Sequence, residues 1–317
     1  MWRDRSLLFS GILIAALCAA ATWLPPWSLA PLNRHTAQSA AMLLGLFGPM
    51  PELSGHIMRH GDFAVAVIGE CTALYMIILY CGFVASWNAP PGAKAAGMIL
   101  GVPLLQALNV VRIAIVFAVG VHAPWLFEPV HAYLGQVAMV VTVCGACLLW
   151  HQWISDGANG PWWFLAKVAA CSAVPFAVWL HLNRGYVLLT DRALSFLFGL
   201  GGHRLRFAHD HELYFHTFNV VTFTALILAT ERASSRRRLA ALGLGLPILV
   251  AGHILFRIGN VAFSAFNVEE AFRFANAVSL TGQYLAPLFL WLLFTRFIGR
   301  SGNALHAVTD GHREVMP

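Results

Sequence analysis

Three side chains with the chemistry for acyl transfer stand inside or beside apolar runs: Cys71 in IGECTALYMIILY, Arg112 in LLQALNVVRIAIV and His131 in VHAYLGQVAMVV. A thiol, a guanidinium and an imidazole supply a nucleophile, a stabiliser for thiolate or oxyanion, and a proton shuttle. Their neighbours extend the set. Glu70 adjoins the thiol, about 100° round a helix, where it could orient His131 or bind Arg112. Thr72 follows the cysteine, and Asn109 stands one turn before Arg112 on the same face, placed to donate to an oxyanion. Such chemistry needs the three groups to meet, so the elements that carry them decide the matter.

Of 317 residues, 59 % are hydrophobic and 11 % charged, and the mean hydropathy is +0.69. A soluble domain carries about a quarter charged residues, so the composition is that of a membrane protein, and its apolar runs make it an all-α polytopic one. The formal net charge of +6 does not point to nucleic acid, because the basic residues sit in short loops between apolar runs, where they serve as topology signals. Cys18, Cys71, Cys81, Cys144, Cys147 and Cys171 all lie in apolar segments, which argues against a disulfide framework. The CGAC at Cys144–Cys147 has no second pair to make a metal site.

Eight spans are expected: Leu7–Leu24 (retained, N-terminus cytoplasmic), Phe63–Trp87, Ala95–Val121, Val130–Trp150, Trp162–Leu180, Leu213–Thr230, Leu239–Phe263 and Ala277–Ile298. Pro103 is expected to kink the third, and HAPWLFEPV to form a short loop before the fourth. Two longer polar segments interrupt them. Pro25–Asp62 holds Ala37–Phe47, too short to span and so interfacial or re-entrant. Asn183–Glu212 holds the short apolar piece Leu194–Leu200 and leads into a His-rich stretch. Alternation puts Arg3, Arg5, Lys94, the arginines of 232–238 and those of 296–300 on one side, the cytoplasmic one, together with both termini. Cys71 then lies about 12 Å into the second span from outside, Arg112 at a similar depth in the third, and His131 at the outer end of the fourth. The loop charges alone therefore bring the three residues together in the outer leaflet.

The two halves share one layout and some identities: Thr72-Ala73-Leu74 with Thr224-Ala225-Leu226, Gly101-Val102-Pro103 and Arg112 with Gly245-Leu246-Pro247 and Arg257, and Leu134-Gly135-Gln136 with Thr281-Gly282-Gln283. This suggests two degenerate four-helix repeats in parallel: residues 1–155 with the chemistry, 156–300 as a scaffold with Val278 in place of His131, and a polar cytoplasmic tail at 301–317.

At Cys71-Thr72, Asn109-x-x-Arg112 and His131 the chain resembles the exosortase/archaeosortase family of membrane transpeptidases, over about residues 40–150. Ala73 departs from the glycine that family carries after its Cys-Thr or Cys-Ser pair. The resemblance implies that Cys71 is a nucleophile completed by Arg112 and His131, with no cofactor and no metal. It also implies a multi-pass protein of the inner (plasma) membrane, its site facing the periplasm or outside. The expected partners are exported proteins of the PEP-CTERM kind, whose C-terminal signal is a short motif, a spanning helix and a basic tail, together with membrane lipid.

Two other classes compete. His209 and His211, with Asp210, Glu212 and His216 in the 203–216 segment, suit a metal- or haem-linked membrane protein. Arg112 and Arg257, as paired intramembrane charges, suit a transporter.

Overall fold

The structure, a computed structural model, describes Leu17, Ala20 and residues 26–155, 162–203, 205, 207, 213–230 and 234–294. The expected first span (apart from Leu17 and Ala20), Arg232, the arginines at 296–300, the tail at 301–317, and His209, Asp210, His211 and Glu212 lie outside the described residues.

Helix α1 (Pro26–Gly45) starts on a proline whose missing N–H costs nothing in a first turn. It replaces the expected short piece at Ala37–Phe47. Ala37, Ala40 and Ala41 have no exposure, and this stripe of small side chains lets α1 pack closely against Ile113 and Phe117 of α3 (Pro91–His122). A three-stranded antiparallel meander follows, β1 (Glu52–Ser54), β2 (Ile57–His60) and β3 (Phe63–Ala66). Both of its turns have two central residues and begin with a glycine at positive φ, Gly55 (64°) and Gly61 (58°), as tight hairpins require. Strands of three and four residues are too short to show alternation, so the sequence reading contains no sheet.

The meander changes the second span. Phe63–Ala66 is a strand, and α2 is only Leu74–Ser86, 13 residues or about 20 Å, short of a hydrocarbon core of about 30 Å. The expected loop before the fourth span is also helical. Only Ala123, with φ −144° and ψ 68°, separates α3 from α4 (Pro124–Tyr133), which Pro124 opens. A π-helical turn at Leu134–Ala138 joins α4 to α5 (Met139–Ser155). The fifth span and the polar segment after it form one helix, α6 (Trp162–Leu200), 39 residues or about 58 Å long. Its polar side chains do not end the helix because they are paired: Asn183, with no exposure, donates to the Tyr214 carbonyl at 3.3 Å and accepts from the Tyr214 amide at 2.8 Å. A 3-10 turn (Phe215–Phe218) leads into α7 (Asn219–Ala229), then α8 (Ser235–Phe266), α9 (Glu269–Leu280), a second π-helical turn (Thr281–Leu285) and α10 (Ala286–Phe294).

Among the described residues four helices are long and apolar enough to cross a membrane: Pro91–His122, Pro124–Ile154, Trp163–Leu200 and Ser235–Phe266. The pair Glu269–Gln283 and Ala286–Phe294, bent by 47°, makes a fifth if it counts as one span. The chain is thus an all-α membrane protein apart from its small meander. Two of its three core clusters mix the halves: Ala225 and Leu226 pack with Tyr80 and Val143, and Ala132 and Val137 with Phe218 and Phe223.

Candidate active site

Cys71 closes a 3-10 turn, Gly69–Cys71, between β3 and α2. It lies on this turn rather than part-way along a span, which corrects the depth expected for it. Thr72 holds the turn: its hydroxyl donates to the Gly69 carbonyl at 2.6 Å and its amide to the same oxygen at 3.1 Å. The hydroxyl oxygen also accepts from the Leu74 amide at 3.4 Å, so one buried threonine joins the turn to the start of α2. Ala73, at φ −74° and ψ 2°, has a backbone open to any residue, so this turn does not need the family's glycine.

The turn is fastened to α3 by two side chains. Asn109 Nδ2 and an Arg112 Nη each donate to the Cys71 carbonyl oxygen at 3.0 Å. The other Arg112 Nη donates to Met139 Sδ at the start of α5. Asn109 is therefore engaged with the backbone of Cys71 rather than free to meet an oxyanion. Burial pushes the Cys71 thiol above the ordinary thiol range, and the Arg112 charge pulls it part of the way back. Arg112 is close enough for its charge to act on the His131 ring as well. That ring lies between Phe127, at 5.5 Å between centroids, and Phe215, at 4.7 Å.

Cys71, Asn109 and Arg112 are thus in direct contact, and His131 is within electrostatic reach of Arg112. Among the described residues no hydrogen bond joins His131 to Cys71 or Arg112. Glu70 is exposed and forms neither of the contacts expected of it, with His131 or with Arg112. Two buried polar atoms of this group lack a partner among the described residues, Asn109 Oδ1 and Arg112 Nε. Unpaired polar atoms in a buried site carry a cost that a bound substrate can relieve.

The sequence does not single out Met139, Phe127 and Phe215, which touch Arg112 or His131. Apolar and aromatic side chains are common in spanning helices and carry no signal of their own.

Of the competing classes, the transporter finds less support, while the metal reading rests mainly on His209, Asp210, His211 and Glu212, outside the described residues. Arg257 is not a free intramembrane charge: its Nε donates to Asp191 Oδ1 at 2.8 Å, and the two side chains are 15 % and 2 % exposed. Among the described residues no three His, Cys, Asp or Glu side chains are grouped to hold a metal.

Residues 3–150 match the family model described as transmembrane exosortase. A stretch of 48 residues is 38 % identical to archaeosortase A of Haloferax volcanii, covering 15 % of this chain and 16 % of that protein. No solved structure matches the chain.

Proposed function

We propose, from the match of residues 3–150 to the transmembrane exosortase family and the likeness of a 48-residue stretch to an archaeosortase, that the chain is a membrane cysteine transpeptidase with Cys71 as its nucleophile. His131 takes the thiol proton, and the Cys71 sulfur attacks the scissile carbonyl carbon of an exported protein's sorting signal. Arg112 faces the oxyanion. The intermediate collapses with loss of the C–N bond, and His131 returns the proton to the departing amine. An amine or water then attacks the thioester, gives its proton to His131 and releases Cys71. Thr72 and Asn109 are positioning residues for the nucleophile's turn, and Glu70 takes no part in the resting arrangement.

The finer layout belongs to the same reading. The chain lies in the inner membrane with both termini cytoplasmic, residues 1–155 forming the catalytic half, 156–300 the second half and 301–317 the tail. The site faces the periplasm or outside, and the substrates end in a motif, a spanning helix and a basic tail.

The observation that carries this reading is that Arg112 is bonded to the backbone of the cysteine itself, 41 residues away in sequence. The test is cleavage, in membranes, of an exported reporter ending in such a signal. Cys71→Ala should abolish both cleavage and a thioester-linked fragment on the enzyme, and Arg112→Ala should lower both at least a hundredfold. Cleavage that persists in Cys71→Ala ends the proposal.

A further inference from the structure

Helices α3 and α8 each have 32 residues, with a proline thirteenth, Pro103 and Pro247. Laid on those prolines, buried Gly97, Gly101, Leu105 and Asn109 fall on buried Ala241, Gly245, Leu249 and His253. Lys94 and Arg238, the fourth residue of each helix, both reach back at 2.8 Å to a carbonyl at the end of the preceding short helix, Ala85 and Thr230. The Tyr80 ring lies on Gly101 as the Phe223 ring lies on Gly245. The π-helical turns open with Leu134-Gly135-Gln136 and Thr281-Gly282-Gln283. In this register Arg112 falls on Phe256, and Arg257 on Ile113. The pairing of the two arginines read from sequence is one residue out.

We propose that the second half is a diverged copy of the first and keeps the counterpart of the Cys71 site as a pocket for a small neutral amide, bound but not cleaved. A cavity of about 40 Å³ lies there, with His216, His253, Phe256, Ser279 and Ala286 among its walls. His253 stands for Asn109, Phe256 for Arg112, Val278 for His131 and Ala286 for Met139. Replacing a guanidinium and a thioether by a ring and a methyl removes the two groups that meet in the first half, and leaves room for about three water-sized groups.

The polar walls have separate duties. Asn219 Nδ2 donates to the Gly282 carbonyl at 3.0 Å, which turns its Oδ1 toward His253 Nε2 at 2.9 Å. Nε2 must therefore carry a proton, and Nδ1 accepts from the Tyr186 hydroxyl at 2.9 Å. His253 is fully used. His216 and Ser279 have no hydrogen-bond partner among the described residues, and both line the cavity. A neutral imidazole and a hydroxyl each offer a donor and an acceptor, which match the N–H and C=O of an amide. The remaining lining is apolar, Ile248, Leu249 and Phe256, and Arg257 is neutralised by Asp191, so the pocket disfavours a charged ligand.

The test uses the full chain carrying Cys71→Ala in detergent, so its outcome is independent of transpeptidation. Acetamide should slow diethyl pyrocarbonate modification of His216 several-fold, read by peptide mass spectrometry, while acetate should not. Ala286→Met, which returns the first half's side chain to the cavity, should remove the protection and raise the Tm. Ser279→Ala, which leaves the cavity open, should weaken the protection and so serves if the first variant misfolds. No protection by acetamide, or equal protection by acetate, overturns the proposal.

Discussion

Asn109 and Arg112, one turn apart on α3, donate to the same acceptor, the Cys71 carbonyl oxygen, each at 3.0 Å. Two donors on one carbonyl use both of its lone pairs, and they fix the peptide plane that precedes Thr72. That plane fixes the backbone from which the Cys71 side chain leaves. Removing Asn109 leaves the arginine bond in place, so Asn109→Ala should slow thioester formation about fivefold, the effect of losing about 1 kcal/mol of net hydrogen bonding. Asn109→Asp puts an acceptor against the carbonyl and should cost more. Single-turnover formation of the thioester decides it: an unchanged rate in Asn109→Ala means the second donor is idle.

Burial holds the Cys71 thiol protonated at neutral pH, and Arg112 opposes this. The thiolate is the reactive form, so iodoacetamide modification of Cys71, resolved by peptide mass spectrometry, should be slow at pH 7 and climb as pH passes the ordinary thiol range. Arg112→Ala removes the one cation that favours the thiolate. Its profile should shift to higher pH, with slower modification at each pH below the plateau. A shift to lower pH would mean that the guanidinium does not act on the sulfur through its charge.

The sequence carried Arg112 as a residue that must be paired, because an arginine deep in an apolar run needs a partner. Cys71 and Arg112 do meet. The route was different: a 3-10 turn below a small sheet delivers the thiol, and strands as short as β1–β3 leave no periodic trace. Helix α6 was split at its polar residues because Asn183 and Asp191 read as loop. Their partners, Tyr214 and Arg257, are 31 and 66 residues away, so the pairing that keeps the helix whole is invisible locally. Glu70 was credited by adjacency to the cysteine, and adjacency in a 3-10 turn does not share a face.

Gly101 is a contact of the fold rather than a point of flexibility. A Cβ there would overlap the Tyr80 ring, which is buried and donates its hydroxyl to the Gly97 carbonyl at 2.9 Å. Gly101→Ala should cost about 1–3 kcal/mol through overpacking between α2 and α3. Thermal unfolding in detergent reads it, and Tyr80→Phe, which keeps the ring, should not relieve the clash. Gly245→Ala against Phe223 should behave alike.

Asp191 and Arg257 form an ion pair at the interface of α6 and α8. Breaking a buried pair from one side leaves an uncompensated charge, so Asp191→Asn should destabilise by about 3–5 kcal/mol. The double replacement Asp191→Leu with Arg257→Met removes both charges and should recover much of the lost Tm. If the single variant matches the parent in Tm, Arg257 has another anion or water, and the transporter reading regains ground.

The His131 ring touches Phe127 of its own helix and Phe215, which is 84 residues further along the chain. A ring at 4.7 Å restrains the imidazole without contributing a proton or a charge, so on the proposed mechanism Phe215 positions the proton shuttle. Phe215→Ala should lower kcat for cleavage of a sorting-signal reporter, on the order of tenfold as an ordering effect on a proton shuttle, with little change in KM. Phe215→Leu, which keeps bulk and loses the ring face, should fall between. Equal loss in kcat and in Tm would show only that the 3-10 turn before α7 has come apart. A normal Tm with reduced kcat shows that the second half acts on catalysis through the position of His131.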